Sequence, residues 1–178
     1  MQLVMARGSK LETFGLREAD DGDGDALAAL IAGCFAEYDG CVFDRACEFP
    51  ELDAIATHFR AAGGCMWVVE ADLAVVGCLG VRPLRSDAIE LLKVYVDGRC
   101  RGTGIAQELL AEAEAFARRL GASQLELWSD TRFLRGHRFY EKQGFERTGE
   151  KRFLNDLSDS WEYRFVRSVD RPFKPGGE

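Results

Sequence analysis

Apolar residues recur along this chain in two rhythms, one of period two and one of period 3.6, and the switches between them mark out its elements. Residues 11–17 alternate enough to predict a first strand. An acidic, glycine-rich turn follows over 19–25, and Asp25 is placed to cap a helix running to about Glu37. Residues 38–50 carry aromatics, two cysteines and Pro50 and read as a loop. A second helix fits 51–62, stopped by Gly63-Gly64. Valine-rich runs then predict strands at 66–70 and 74–81, with a turn near Asp72, and a third at 88–96. The strongest helical period covers 105–120, where Ile105, Leu109, Ala113, Phe116 and Leu120 share one face and Gly121 ends the run. A strand at 124–128 and a helix at 132–143 follow, the helix closed by Gly144 at the position of a left-handed cap. Late strands fit 145–148 and 161–166. In the second of these Trp161, Tyr163 and Phe165 alternate with Glu162 and Arg164.

Strands that run consecutively before a crossover helix predict an α/β (α+β) fold. Its sheet is mixed, mostly antiparallel, with one parallel βαβ unit in the middle. The 178 residues suit one domain over 11–168, with a flexible leader at 1–10 and a flexible tail at 169–178. The net charge of −7, with lysine and arginine dispersed, argues against a nucleic-acid partner. No run is apolar enough for a membrane span or a secretory signal, which predicts a cytoplasmic protein. The six cysteines form no C-x-x-C pair and have no paired histidines near them, so no metal site is expected and the thiols read as reduced. Asp21-Gly22-Asp23-Gly24-Asp25 hints at a calcium loop, but Ala26 and Ala32 stand where that loop needs glycine and glutamate.

The chemically informative segment is Val96-Asp97-Gly98-Arg99-Cys100-Arg101-Gly102-Thr103-Gly104-Ile105, which joins a strand to the long helix. Such a turn aims unpaired N–H groups and the positive end of the helix dipole at one point, a geometry that binds phosphate. The glycines let a ligand approach the backbone, and Arg99 and Arg101 can add charge-assisted contacts. A helix start whose glycines only relieve crowding is the other reading. No Gly-Lys-Ser/Thr follows, so this is not a nucleoside-triphosphate loop, and the missing third glycine removes a dinucleotide fingerprint.

With these residues in view the chain resembles the GNAT superfamily of N-acetyltransferases. Arg99-Cys100-Arg101-Gly102-Thr103-Gly104 matches its Arg/Gln-x-x-Gly-x-Gly/Ala loop, Glu90–Val96 looks like the preceding strand, and Phe139-Tyr140-Glu141-Lys142-Gln143-Gly144-Phe145 looks like its late helix and turn. The resemblance covers about 11–168. It implies acetyl-CoA as co-substrate and a sheet splayed between strands 88–96 and 124–128. Backbone near Val94, Tyr95 and Val96 would then pair with the pantetheine arm, and Arg99 to Ile105 would hold the pyrophosphate. Two positions depart from the pattern: Gly98 replaces a common proline, and Phe133 replaces a common asparagine on the late helix.

The resemblance also assigns candidate roles. Tyr140 matches the family's tyrosine and is the candidate general acid at the leaving thiol, or else a packing aromatic. Glu90, where some members carry a catalytic glutamate, is the candidate base, or else a strand-end residue facing water. Strict alternation would put Glu90, Leu92, Val94 and Val96 on one face. Tyr38, Trp128, Asp130, Arg132 and His137 are candidates for the acceptor pocket, with His58 beside them. The expected reaction is direct attack of a primary amine, from a small molecule or amino acid, through a tetrahedral intermediate. Acetylation of a protein or peptide amine and a non-catalytic acyl-CoA-binding module are the alternatives. A monomer and a homodimer are both compatible with the sequence.

Overall fold

The computed structural model describes the backbone of residues 2–7 and 10–170, with side chains from Phe14 onward. An eight-stranded sheet runs β1-β2-β3-β4-β5-β6-β8-β7. Its strands are β1 (Gln2–Arg7), β2 (Lys10–Glu18), β3 (Cys65–Ala71), β4 (Ala74–Arg85), β5 (Ala88–Val96), β6 (Gln124–Asp130), β7 (Glu146–Phe153) and β8 (Trp161–Ser168). The helices are α1 (Gly24–Phe35), α2 (Arg45–Glu48), α3 (Ile55–Ala61), α4 (Ile105–Arg119) and α5 (Leu134–Lys142). Neighbouring strands pair antiparallel except β5 and β6, which are parallel across the α4 crossover. The α/β mixed sheet with a single parallel pair therefore holds.

Two apolar layers sandwich the sheet. On one face α4 packs Ile105, Leu109, Ala113 and Phe116 against Val76, Leu79, Leu91, Leu125 and Phe165. On the other, Leu27, Ile31 and Cys34 of α1 meet Ile55 and Phe59 of α3 over Met66, Val68 and Cys78. Gly80 makes this second contact possible, because a Cβ there would sit 2.3 Å from the Phe59 ring.

Several local expectations change. Gln2–Arg7 is not a loose leader but pairs with residues 10–15 of β2, since ladder hydrogen bonds stabilise an edge strand that carries little pattern of its own. Residues 1, 8, 9 and 171–178, where the rest of the leader and most of the tail were expected, lie outside the described residues. Val169, assigned to the tail, is buried and donates its N–H to the Ser123 carbonyl at 2.9 Å. Asp25 does not cap α1. Asp20 and Asp23 instead form a capping box around a short 3-10 turn at Asp21–Asp23, and Arg17 holds Asp23 through two bonds of 2.7 and 2.8 Å. Leu120 ends α4 at 52% exposure, outside the core face. β7 runs well past 145–148, and every one of its residues is exposed, so no apolar alternation marked it.

The main departure lies in β5. Cys78 pairs with Tyr95 and Gly80 with Leu92, so two β5 residues oppose one on β4. Lys93 takes φ +51 at this bulge. The extra residue reverses the alternation: Leu92 and Tyr95 pack toward α1 and α3, while Val94 and Val96 pack toward α4. Glu90 and Leu92 therefore do not share a face with Val94 and Val96.

Candidate active site

β5 and β6 pair only from Ala88 opposite Gln124 to Leu91 opposite Leu127. Beyond Leu91 they diverge, β5 staying with β4 and β6 with β8. The β5 edge around Val94 thus opens onto a cleft. A cavity of about 440 Å³ follows that edge to the start of α4, touching Val94, Tyr95, Val96, Cys100, Arg101, Gly102, Gly104 and Ile105.

The turn before α4 is shaped for an anion. Gly102 and Gly104 take φ +74 and +94, which glycine alone adopts at little cost. The Asp97 carboxylate accepts from Arg99 N at 2.8 Å, and Thr103 Oγ1 donates to the Cys100 carbonyl at 2.5 Å, which rigidifies the turn. No side chain caps Gly104, and the first helical bond runs from Glu108 N to its carbonyl at 3.0 Å. The leading amides of α4 are therefore available to a ligand in the cleft.

Of the two loop arginines, Arg99 is exposed, pairs with Asp97 at 2.8 Å and does not line the cleft. Thr103 is buried and also sits behind the lining. Arg101 lines the cleft, with its guanidinium on both Glu37 oxygens at 2.6 Å and its Nε on the Val96 carbonyl at 3.2 Å. That carbonyl is thus occupied, which leaves Val94 as the open pairing position. Sequence reasoning missed the opposite wall, where Arg135, Arg138 and Lys142 of α5 face the same cleft. Their spacing places them on one helix face, a signal available in the sequence but hidden among other surface charges.

A second cavity, of about 730 Å³, lies on the other side of the splay, and Val94, Tyr95, Ser129, Phe133 and Tyr140 line both. Tyr140 is buried, its ring packed on Phe139, Phe145 and Phe165, and its hydroxyl has no hydrogen-bond partner among the described residues. Burial pushes its phenol pKa above the ordinary value, so the hydroxyl keeps its proton. Burial does the same to Tyr95. Phe133 sits at the junction against Tyr38, ring centroids 4.7 Å apart, so an aromatic pair occupies the place of the expected asparagine.

Glu90 lines the second cavity and is 5% exposed, so the water-facing reading fails. It is not an isolated carboxylate, because Arg82 donates to its Oε2 through Nε at 2.8 Å. Trp128 and Asp130 line this cavity as expected. Burial works to raise the Asp130 pKa, but Arg132 donates from Nη2 at 2.5 Å and Nε at 2.9 Å and holds it below the ordinary value. Glu162, also on the wall, goes the other way: burial raises its pKa despite the Arg152 guanidinium 2.7 Å away.

Four pocket candidates move. Tyr38 lines the cleft that leads to α4 instead of the second cavity. Arg132 lines neither cavity, because its guanidinium ties chain segments together, donating to the carbonyls of Gly40 at 3.0 Å and Ser158 at 3.3 Å and to Ser160 Oγ at 2.9 Å. His137 turns into the core between Tyr163 and Phe165, with Nε2 donating to the Asp130 carbonyl at 2.9 Å. Burial lowers its pKa. His58 is exposed on α3 and lines neither cavity.

The family model for the acetyltransferase (GNAT) family matches residues 26–145, from α1 through the turn after α5. The chain belongs to the GNAT family. An uncharacterized N-acetyltransferase of Escherichia coli K12, YjgM, is 34% identical over 129 residues, 70% of this chain and 77% of that protein. Human N-acetyltransferase 8 is 33% identical over 106 residues, 57% of this chain, and the match spans 47% of that relative's length. The solved structure of yncA, a putative acetyltransferase from Salmonella typhimurium with its cofactor acetyl-CoA, superposes with a TM-score of 0.68. It is 19% identical, and the match covers 92% of this chain and 98% of that one. As a GNAT member, the chain has a cleft whose features suit acetyl-CoA: amides and cations for a diphosphate, and an open strand edge for an amide-bearing arm. Among the described residues no cluster of histidine, cysteine, aspartate and glutamate is arranged to hold a metal ion.

Proposed function

We propose that this chain transfers acetyl from acetyl-CoA to a primary amine of a small molecule or amino acid by direct attack. The carrying observation is that the two cavities share Tyr140, whose hydroxyl has no hydrogen-bond partner among the described residues, beside the open β5 edge. Acetyl-CoA, when bound, supplies a thioester-activated acetyl group. The α4 amides, with Arg101, Arg135, Arg138 and Lys142, hold its phosphates, and the Val94 backbone orients its arm toward the junction. Tyr140 donates its retained proton to the departing sulfur. An alkyl ammonium titrates near pKa 10, so freeing its nitrogen at neutral pH costs about 4 kcal/mol. Glu90, on the acceptor side of the same strand, takes that proton directly or through water.

The roof of the acceptor cavity favours a small molecule over a polypeptide. Residues 40–48 and 154–160 meet above it, with Val42 N donating to Ser158 Oγ at 2.8 Å and Leu157 N to Glu48 Oε1 at 2.6 Å.

Tyr140→Phe tests the reading. Turnover is expected to fall about ten-fold or more, the usual worth of a positioned acid, while acetyl-CoA affinity by calorimetry changes little. Unchanged turnover removes Tyr140 from the mechanism. Wild-type protein that ignores millimolar acetyl-CoA removes the donor. For the base, Glu90→Gln should lower kcat about 100-fold, the usual worth of a positioned base, and unchanged turnover assigns proton removal elsewhere.

A further inference from the structure

The acceptor cavity carries more negative charge than its own cations neutralise. Of its charged lining residues, Glu162 pairs with Arg152 within the wall, while Glu90, Asp130 and Lys93 pair with Arg82, Arg132 and Glu51, which stand behind it. Glu48 and Asp156 remain, and neither makes an ion pair among the described residues. Each uses one oxygen to fasten the roof: Glu48 Oε1 accepts from Leu157 N at 2.6 Å, and Asp156 Oδ1 from Ser160 N at 2.7 Å. The second oxygen of each has no partner among the described residues.

Two groups on the wall matter for an acceptor. Tyr140, 7% exposed, carries a hydroxyl with no hydrogen-bond partner among the described residues. In the roof stand two carboxylates, Glu48 and Asp156, that make no ion pair among the described residues and line only the acceptor side. The same wall carries aromatic faces that already attract cations: the Lys93 ammonium lies 4.5 Å from the Phe49 ring and the Arg152 guanidinium 4.3 Å from that of Trp128. A zwitterionic or acidic acceptor would bring its carboxylate toward Glu48 and Asp156 and be repelled.

We infer that the acceptor is a dication: a diamine, or an amine bearing a second positive group, whose far charge rests between Glu48 and Asp156 while its near nitrogen is acetylated at Tyr140. This rests on the acetyltransferase reading and narrows it. The charge lost by the near nitrogen on deprotonation leaves the far one in place, so the substrate stays anchored as the reacting end becomes neutral.

The test compares three acceptors of one chain length with wild-type protein and saturating acetyl-CoA: 1,4-diaminobutane, butylamine and 4-aminobutyrate. We expect kcat/KM for the diamine to exceed that for butylamine by about ten-fold, with the amino acid below both. The diamine's advantage should shrink as salt is raised. In a Glu48→Gln, Asp156→Asn double variant, which keeps both roof-fastening oxygens, the ratio of diamine to monoamine should collapse toward one. Equal use of diamine and monoamine, preference for the amino acid, or an undiminished ratio in the variant overturns the inference. Calorimetry separates it from the donor reading. Acetyl-CoA binding with no diamine preference sinks only the charge argument. If acetyl-CoA does not bind, direct titration with 1,4-diaminobutane and butylamine still decides whether the cavity selects a dication.

Discussion

Gly104 shows how one backbone angle holds the turn before α4. At φ +94 a Cβ is strained whatever space surrounds it, at a cost on the order of 1–2 kcal/mol. Gly104→Ala should lower Tm by several degrees, as about 1 kcal/mol does in a chain of this size. Acetyl-CoA affinity should fall further still, since the leading amides turn away, and titration calorimetry on the refolded variant would show it. His137 makes a different case, where burial acts through protonation. The folded state holds its imidazole neutral by lowering the pKa from 6.5, while the unfolded chain titrates near that ordinary value. As pH falls through about 6.5 the unfolded chain takes up a proton that the folded one refuses, and stability drops. His137→Asn, which keeps an N–H for the Asp130 carbonyl, should flatten that slope in urea melts between about pH 6.5 and 5. An unaltered slope would place the acid sensitivity on other groups.

Between elements, the deciding contacts are carried by arginines. Arg132 leaves β6, pairs with Asp130 and reaches the carbonyls of Gly40 and Ser158, so one guanidinium joins three segments around the acceptor cavity. Arg132→Gln should loosen the roof and raise the acceptor KM about ten-fold, the ~1.5 kcal/mol of a charge-assisted bond, with acetyl-CoA affinity nearly constant. Steady-state kinetics with each substrate varied would show an unmoved acceptor KM if the roof were held by other contacts. The bulge at Lys93 acts at the same level. By inserting one residue it turns Val94 toward the α4 face while Glu90 stays on the acceptor side, so one strand serves both cavities.

Across the molecule, the two cavities form one passage with Tyr95, Phe133 and Tyr140 at its neck. In the proposed reaction donor and acceptor are held together there, with no covalent relay on the protein. Initial rates with both substrates varied should give intersecting double-reciprocal lines. Parallel lines would indicate an acetylated protein intermediate and would turn attention to the thiols Cys41 and Cys47 on the acceptor wall.

The chain's order of elements was legible because periodicity and glycine punctuation are local: α4, the strand before it and the turn joining them follow from spacing alone. Tyr140 and the glycine turn were marked by contiguous motifs that resemble the family's, and the structure sets both on the cleft. The bulge was not, since Lys93 carries no mark of a left-handed backbone and its strain is imposed by pairing with β4. Nor were the partners of Glu90, Arg101 and Arg132, or the inward turn of His137, legible from spacing. A charged residue's role depends on which counter-charge the fold brings within about 3 Å, and Glu37 meets Arg101 across 64 positions of chain. Local pattern selects the elements, and the pairing of distant charges and strand edges decides what the cleft between them can hold.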